Sequence, residues 1–166
     1  MAGSHLPPLF SERVNVVIFY DFEVFKEDWL AVFIDVTKKK EYVIINNPDE
    51  LKALYEANSK DIWVGYNNRH YDQYIFKGIL LGMNPKRIND WIIVEKREGW
   101  QFSSAFNKVP MINYDVMPNP PVGLKTLEGF LGSNIKETDV DFRINRKLTK
   151  EEIEMTVFYC RHDVEE

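Results

Sequence analysis

The sequence predicts an α/β protein with a mixed five-stranded sheet, its first three strands antiparallel, flanked by helices. Residues 14–20 are almost continuously β-branched and aromatic, which is typical of a buried central strand. Two more strand-like segments, 29–36 and 41–45, are separated by a short lysine-rich turn, and this arrangement indicates an antiparallel meander. Helix and strand patterns then alternate along the rest of the chain.

The later elements follow from capping and turn signals. Asn47 is a candidate N-cap, with Pro48 at the first helical position. Thr149 and Glu152 form a capping-box pattern at the start of a last helix that is predicted to run to the end of the chain. The remaining expected elements are a strand over 62–66, a helix over 71–81, a helix over 87–94 followed by a loop, a strand over 111–115, a proline-rich loop at 118–121 and a helix over 124–131.

Length and composition predict one domain without repeats. Residues 1–5 read like vector sequence, so we expect a tag-like, irregular N-terminus over 1–13 and a single domain over 14–166. No apolar run is long enough to span a bilayer, and the single Cys160 suits a reducing compartment. A net charge of −5 argues against binding nucleic acid through bulk charge alone. It does not argue against an enzyme whose metal ions supply local positive charge.

Asp21 and Glu23 are the first candidate site residues. They lie two positions apart at the end of the first predicted strand, so their side chains share one face. Two neighbouring carboxylates repel one another, and a divalent cation between them makes the arrangement favourable. The alternative is that the strand has ended and both acids are solvated, because such triplets are common.

Two further acids lie on predicted helices. Asp72 begins the helix after the fourth strand, where capping or compensation of the helix dipole is the alternative interpretation. Asp163 lies on the last helix, and Tyr159, four residues earlier, shares its face. A phenol beside a metal-binding acid could orient the attacking water. The same helix also reads as amphipathic, with a core-facing set of Ile153, Val157, Cys160 and Val164.

Three segments taken together resemble the motifs of the DEDD (DnaQ-like) family of 3′–5′ exonucleases, which have a ribonuclease-H-like fold. The matching segments are Asp21-Phe22-Glu23, Asn67-Asn68-Arg69-His70-Tyr71-Asp72 and Tyr159-Cys160-Arg161-His162-Asp163. The other branch of the family has His five residues before the last Asp, and Phe158 holds that position here. The tyrosine branch (DEDDy) is therefore implied, and His162 is not the general base. Residues 123–132 and 146–149 also resemble segments of ribonuclease-D-type and proofreading members.

The resemblance implies a metal-dependent exonuclease that hydrolyses phosphodiester bonds at the 3′ end of single-stranded nucleic acid, with DNA favoured. It implies two Mg²⁺ or Mn²⁺ ions, which hard oxygen ligands select over zinc. Our hypothesis is that Asp21 bridges both ions, while Glu23 and Asp163 hold the ion that binds the nucleophile. Asp72 would help to hold the leaving-group ion, and Tyr159 would orient the water.

Substrate contacts are expected around these motifs. Phe22 and Phe25 could stack on terminal bases or belong to the core. Val24 and Phe25 follow Asp-x-Glu, where the family often has a Thr that contacts the terminal nucleotide. The other candidates are Asn67 and Lys125 for the substrate, His70 and Asp115 as supports for the site, and, as phosphate contacts or solvated surface charges, Arg69, Arg143, Arg146, Lys147 and Arg161.

Two other functions stay open at this point. One is an endonuclease on the same fold, and the other is a catalytically silent module that binds nucleic acid or serves as a scaffold. A silent domain has no physical need for a cluster of repelling acids. Because the chain ends three residues after Asp163, we expect a domain cut from a larger polymerase or nuclease of phage type. Its expected partners are a nucleic-acid 3′ end and another domain of that parent, in the cytoplasm of a bacterial or phage-infected cell.

Overall fold

The structure is a computed structural model that describes residues 15–117 and 140–165. Five strands form one mixed sheet in the order β3-β2-β1-β4-β5. β2 is antiparallel to both β1 and β3, whereas β4 is parallel to β1 and β5 is parallel to β4. The predicted α/β sheet, with its first three strands antiparallel, is therefore confirmed. The strands are β1 Val17–Val24, β2 Trp29–Asp35, β3 Lys40–Ile45, β4 Ile62–Gly65 and β5 Ile112–Asp115.

The helices begin where the sequence carries capping signals. Asn47 accepts a hydrogen bond from the backbone N–H of Glu50 (3.1 Å), as an N-cap should. At the last helix, Thr149 Oγ1 accepts from Glu152 N (3.2 Å), and Glu152 Oε1 accepts from Thr149 N (2.8 Å). Both predicted caps are confirmed. The α-helices of the described residues are α1 Pro48–Ala57, α2 Asp72–Leu80, α3 Pro85–Asn89 and α4 Lys150–Glu165.

The segment between α2 and β5 differs from the prediction of a helix over 87–94 followed by a loop. The α-helix begins at Pro85, because Asn84 caps it by accepting from Lys86 N (2.9 Å). A π-helix follows over Asp90–Val94, closed by a bond from Glu95 N to Asp90 O (2.8 Å). Two 3-10 helices then replace part of the expected loop, at Gly99–Gln101 and Ser104–Lys108.

The two faces of β1 serve different parts of the structure. Its even-numbered side chains lie in the main core, where the large buried rings include Trp63 and Phe76. Its odd-numbered side chains face the side of the sheet that α4 covers. There the buried Cys160 packs with Leu30 and Val32 of β2. The core-facing set predicted for the last helix is confirmed, since Ile153, Val157 and Val164 pack against this second cluster.

One buried carboxylate fixes where α4 begins. Asp28, in the turn between β1 and β2, is 5% exposed and accepts from the backbone N–H of Leu148 (2.8 Å). Its other oxygen accepts from Asn46 Nδ2 (2.7 Å), so the carboxylate is satisfied from both sides. The hydrogen bond from Leu148 to Asp28 holds the start of α4 against the β1–β2 turn.

Three expectations lie outside the described residues. They are the irregular N-terminus, the proline-rich loop at 118–121 and the helix over 124–131. Within residues 15–117 and 140–165, the helices are all too short or too polar to cross a bilayer.

Candidate metal centre

Asp21 and Glu23 lie inside β1 rather than beyond its end. In the register with β2 they stand opposite Val32 and Leu30, respectively. Their side chains therefore point to the face that α4 covers, at the border of a small apolar cluster. Both side chains are partly exposed. The predicted sharing of one strand face by the two acids is confirmed.

Asp72 reaches the same place from the start of α2. β4 pairs with β1 only as far as Phe19, so no strand of the described residues pairs with β1 beyond that residue on this side. Asp72 Oδ1 accepts a hydrogen bond from the backbone N–H of Phe22 (3.1 Å). The Asp72 side chain is consequently buried, at 4% exposed, and lies between the helix and the open edge of β1.

The turn before Asp72 is held by Asp115. Its carboxylate accepts three backbone N–H groups, from Asn67 (2.8 Å), Arg69 (3.0 Å) and Met117 (2.9 Å). Asn67 has a positive φ of 57°, a conformation that asparagine tolerates better than most residues. Asp115 thus positions the strand-to-helix turn that presents Asp72, and its role as a support for the site stays a prediction.

Asn68 fills the inside of that turn. It is fully buried, and its Nδ2 donates to Asn113 Oδ1 (2.9 Å) and to Tyr114 O (3.0 Å). Tyr20 OH donates to the same Asn113 oxygen (2.9 Å). A Cβ at Gly65 would lie 2.8 Å from Asn68 Nδ2, so the close approach requires glycine there. The network locks the turn onto β4 and β5.

Asp163 comes from the last part of α4. It lines a cavity of about 70 Å³ together with Asp21, and its charge raises the pKa of the Asp21 carboxyl. Tyr159 lies one helical turn earlier and is partly exposed, with its ring edge-to-face against Phe158. β1, α2 and α4 thus bring Asp21, Glu23, Asp72 and Asp163 together.

The proximity of the acids changes their acidity. Burial, followed by the charge of Asp163, raises the pKa of Asp21 from 3.8 to about 6. Burial and the charge of Asp21 raise the pKa of Glu23 and of Asp72 well above their ordinary values. The carboxyl groups therefore hold protons more tightly than free acids do, which is the expected behaviour of like charges packed together.

The donor set fits a divalent cation. In the described ranges 15–117 and 140–165, no Lys or Arg forms a salt bridge with Asp21, Glu23 or Asp72. Carboxylate oxygens are the ligands that Mg²⁺ and Mn²⁺ prefer. One ligand atom from each of Asp21, Glu23 and Cys160 lies within 4.8 Å of the other two.

Comparison of the chain with protein-family models, curated proteins and solved structures gave no match. The function is therefore inferred from the site and from the sequence motifs. Cys160 is the site residue that sequence reasoning missed. It belonged to the predicted core face of the last helix, and only the packing of α4 across β1 brings its sulfur to Asp21.

The expected substrate contacts from aromatic and aliphatic side chains need correction. Phe22 and Val24 are 2% and 3% exposed, and both side chains lie in the main core on the face opposite the acids. Phe25 is 1% exposed and stacks on Phe142 at 4.9 Å. None of these three side chains can stack on a base without opening the core. Asn67 stays a partly exposed turn residue beside the site.

Most of the candidate phosphate contacts already have acidic partners. Arg143 pairs with Asp141, Arg146 with Glu152, and Arg161 with Glu41. Lys147 lies 3.6 Å from Asp28 Oδ1. Arg69 and His70 are exposed on the turn before Asp72, and Lys125 lies outside the described residues.

Proposed function

We propose that the chain is a metal-dependent phosphodiesterase of ribonuclease-H-like fold that removes nucleotides from the 3′ end of single-stranded nucleic acid, with DNA favoured. The observation that carries this proposal is the convergence of four carboxylates from β1, α2 and α4. The strand order and the antiparallel first three strands support the proposed fold. The three ordered motifs support the proposed exonuclease branch and a role as a proofreading or processing domain of a larger protein.

Each residue of the proposed metal centre has a role that follows from its position. Two Mg²⁺ or Mn²⁺ ions, when bound, supply activation of water and stabilisation of charge at phosphorus. Asp21 is the acid that neighbours Glu23, Asp72 and Asp163 alike, so it suits a ligand shared by both ions. Glu23 and Asp163 would hold one ion and Asp72 the other. Tyr159 would hydrogen-bond the attacking water from α4.

The geometry of the acids is set before any substrate arrives. The Phe22 N–H fixes Asp72, and Asp115 fixes the turn that leads into α2. Because these ligands are already in place, the free-energy cost of ordering the site is lower when ions and substrate bind. The same arrangement leaves Asp21 and Glu23 of β1 partly exposed, so that a single strand could approach these two acids.

The test is the stepwise shortening of a 5′-labelled single-stranded oligonucleotide in Mg²⁺ or Mn²⁺. Asp21→Ala should abolish shortening, whereas the control Glu56→Ala, on the exposed surface of α1, should retain it. Full activity in purified Asp21→Ala would refute the proposal.

Two further measurements separate the alternatives. A circular single-stranded DNA has no 3′ end, so its opening would indicate an endonuclease instead. Failure to bind Mn²⁺ in calorimetry would favour a silent module. The proposal predicts that the circle stays closed and that Mn²⁺ binds.

A further inference from the structure

Cys160 brings a sulfur atom into contact with the acids. Its side chain is fully buried, and its Sγ lies 3.5 Å from Oδ2 of Asp21 and 3.6 Å from the Asp21 backbone oxygen. Sγ also lies within 4.8 Å of a carboxylate oxygen of Glu23. The sulfur therefore stands beside the oxygen donors that the proposed metal centre uses.

We infer that Cys160 sets the metal preference of this centre, by adding a sulfur donor to Asp21 and Glu23 so that thiophilic divalent ions bind through all three residues. The inference rests on the proposed metal centre but does not require that the chain cut nucleic acid. Thiolates select softer ions such as Zn²⁺ and Cd²⁺, whereas carboxylates alone favour Mg²⁺ and Mn²⁺. The site would accept both classes, with different ligands for each.

The position of the thiol allows this change without moving the backbone. The S–H group now donates to Asp21. When a sulfur–metal bond forms, the S–H bond breaks and its proton passes to the solvent. Asp21 then loses a hydrogen-bond donor and gains the cation as its partner. On the other side, Leu30 and Val32 pack around Cys160 and hold the sulfur in place.

The test uses Cd²⁺ as the probe and the sulfur-to-cadmium absorption in the ultraviolet as the signal. The chain has one cysteine, so any such absorption must come from Cys160. We expect the band to saturate at one equivalent in the unmodified protein and to be absent from Cys160→Ser. By calorimetry, the Cys160→Ser change should weaken Cd²⁺ binding by at least about 10–100-fold, the loss that even an indirect partner of a metal site produces. Mn²⁺ binding should weaken much less.

A second variant shows whether the carboxylates share the ion. Glu23→Gln keeps the cysteine, and we expect it to retain the band but to need more Cd²⁺ to reach saturation. The inference is overturned if Cd²⁺ binds without the band, if Cd²⁺ does not bind, or if Glu23→Gln leaves the titration unchanged. Because the unmodified protein and Glu23→Gln both carry the cysteine, these outcomes decide the matter even if Cys160→Ser fails to fold. Failure of the nuclease proposal would appear separately, as unchanged oligonucleotide shortening in Asp21→Ala.

Discussion

Neutralising Asp21 should stabilise the fold in the absence of divalent ions. Burial and the nearby Asp163 raise the pKa of Asp21 from 3.8 to about 6. At one pKa unit per 1.36 kcal/mol, this shift corresponds to a destabilisation of the folded state of at most about 3 kcal/mol at neutral pH, and solvent screening of the partly exposed side chain reduces it. Asp21→Asn removes the charge and keeps the size of the side chain, and the new amide can donate to the carboxyl of Glu23 or Asp72. We expect its free energy of unfolding at pH 7.5 to rise by about 1–3 kcal/mol.

The pH dependence of the free energy of unfolding provides a second test of the destabilisation by the Asp21 charge. Because the folded pKa of Asp21 lies above the unfolded value, its favourable contribution is complete below about pH 4 and is lost as the pH rises through about 6. The raised pKa values of Glu23 and Asp72 act in the same direction. The unmodified protein in chelator should therefore lose stability between pH 4 and 7, and Asp21→Asn should lose less.

The assay is urea unfolding followed by tryptophan fluorescence, with and without Mn²⁺. At 100 times its dissociation constant, an ion that binds only the folded state adds about 2.7 kcal/mol. That gain should appear in the unmodified protein and be much smaller in Asp21→Asn. The control Glu56→Gln changes one exposed charge and should stay within about 0.5 kcal/mol. A lower stability of Asp21→Asn than of the unmodified protein, in chelator at pH 7.5, would show that the charge of Asp21 does not destabilise the fold.

Three other substitutions test the parts that position the acids. Asp115→Ala should lower the free energy of unfolding by about 2–3 kcal/mol, because three backbone N–H groups lose their acceptor. It should also weaken Mn²⁺ binding in calorimetry by loosening the turn before Asp72. Unchanged stability and affinity would contradict this prediction. Gly65→Ala should cost about 1–3 kcal/mol in urea unfolding, since the new Cβ would meet Asn68 at 2.8 Å, and a neutral effect would show that the turn is not tightly packed. Asp28→Ala should cost about 1–3 kcal/mol by leaving the buried Leu148 N–H without an acceptor, and faster amide exchange at Leu148 would report the loosened start of α4.

Much of the fold follows from local signals in the sequence. The buried first strand, the lysine-rich turn and the two helix caps each have a short-range physical cause. The strand predicted over 14–20 is present at Val17–Val24, three to four residues further along the chain, and both caps are at the predicted residues. The segment between α2 and β5 is harder to predict, because its apolar residues show no sustained helical or strand periodicity. Its helix begins with the same Asn-Pro signal as α1, at Asn84 and Pro85, two residues before the predicted start at residue 87.

The positions of the site residues depend partly on local sequence patterns and partly on contacts between distant parts of the chain. Strict alternation along β1 places Asp21 and Glu23 on one face, and it also places Phe22 and Val24 on the other. The same alternation therefore excludes Phe22 and Val24 as side chains that contact the substrate beside the acids. By contrast, the contact between Cys160 and Asp21 spans 139 residues and depends on how α4 crosses the sheet. No spacing in the sequence carries that information.

The two interpretations of the last helix proved compatible. Its aliphatic face packs on β2, as an amphipathic helix predicts, and this packing is what brings Asp163 to the cavity beside Asp21. The acid-rich end of the helix is thus placed by the apolar face that precedes it.

Anomalous diffraction from crystals soaked in Mn²⁺ tests the central claim most directly. We predict two ions about 3.5–4 Å apart, the spacing found in two-metal phosphodiesterases. Oxygens of Asp21 should contact both ions, with Glu23, Asp72 and Asp163 around them. Mn²⁺ bound elsewhere on the chain, with no ion among these four acids at a concentration that saturates the protein, would contradict it.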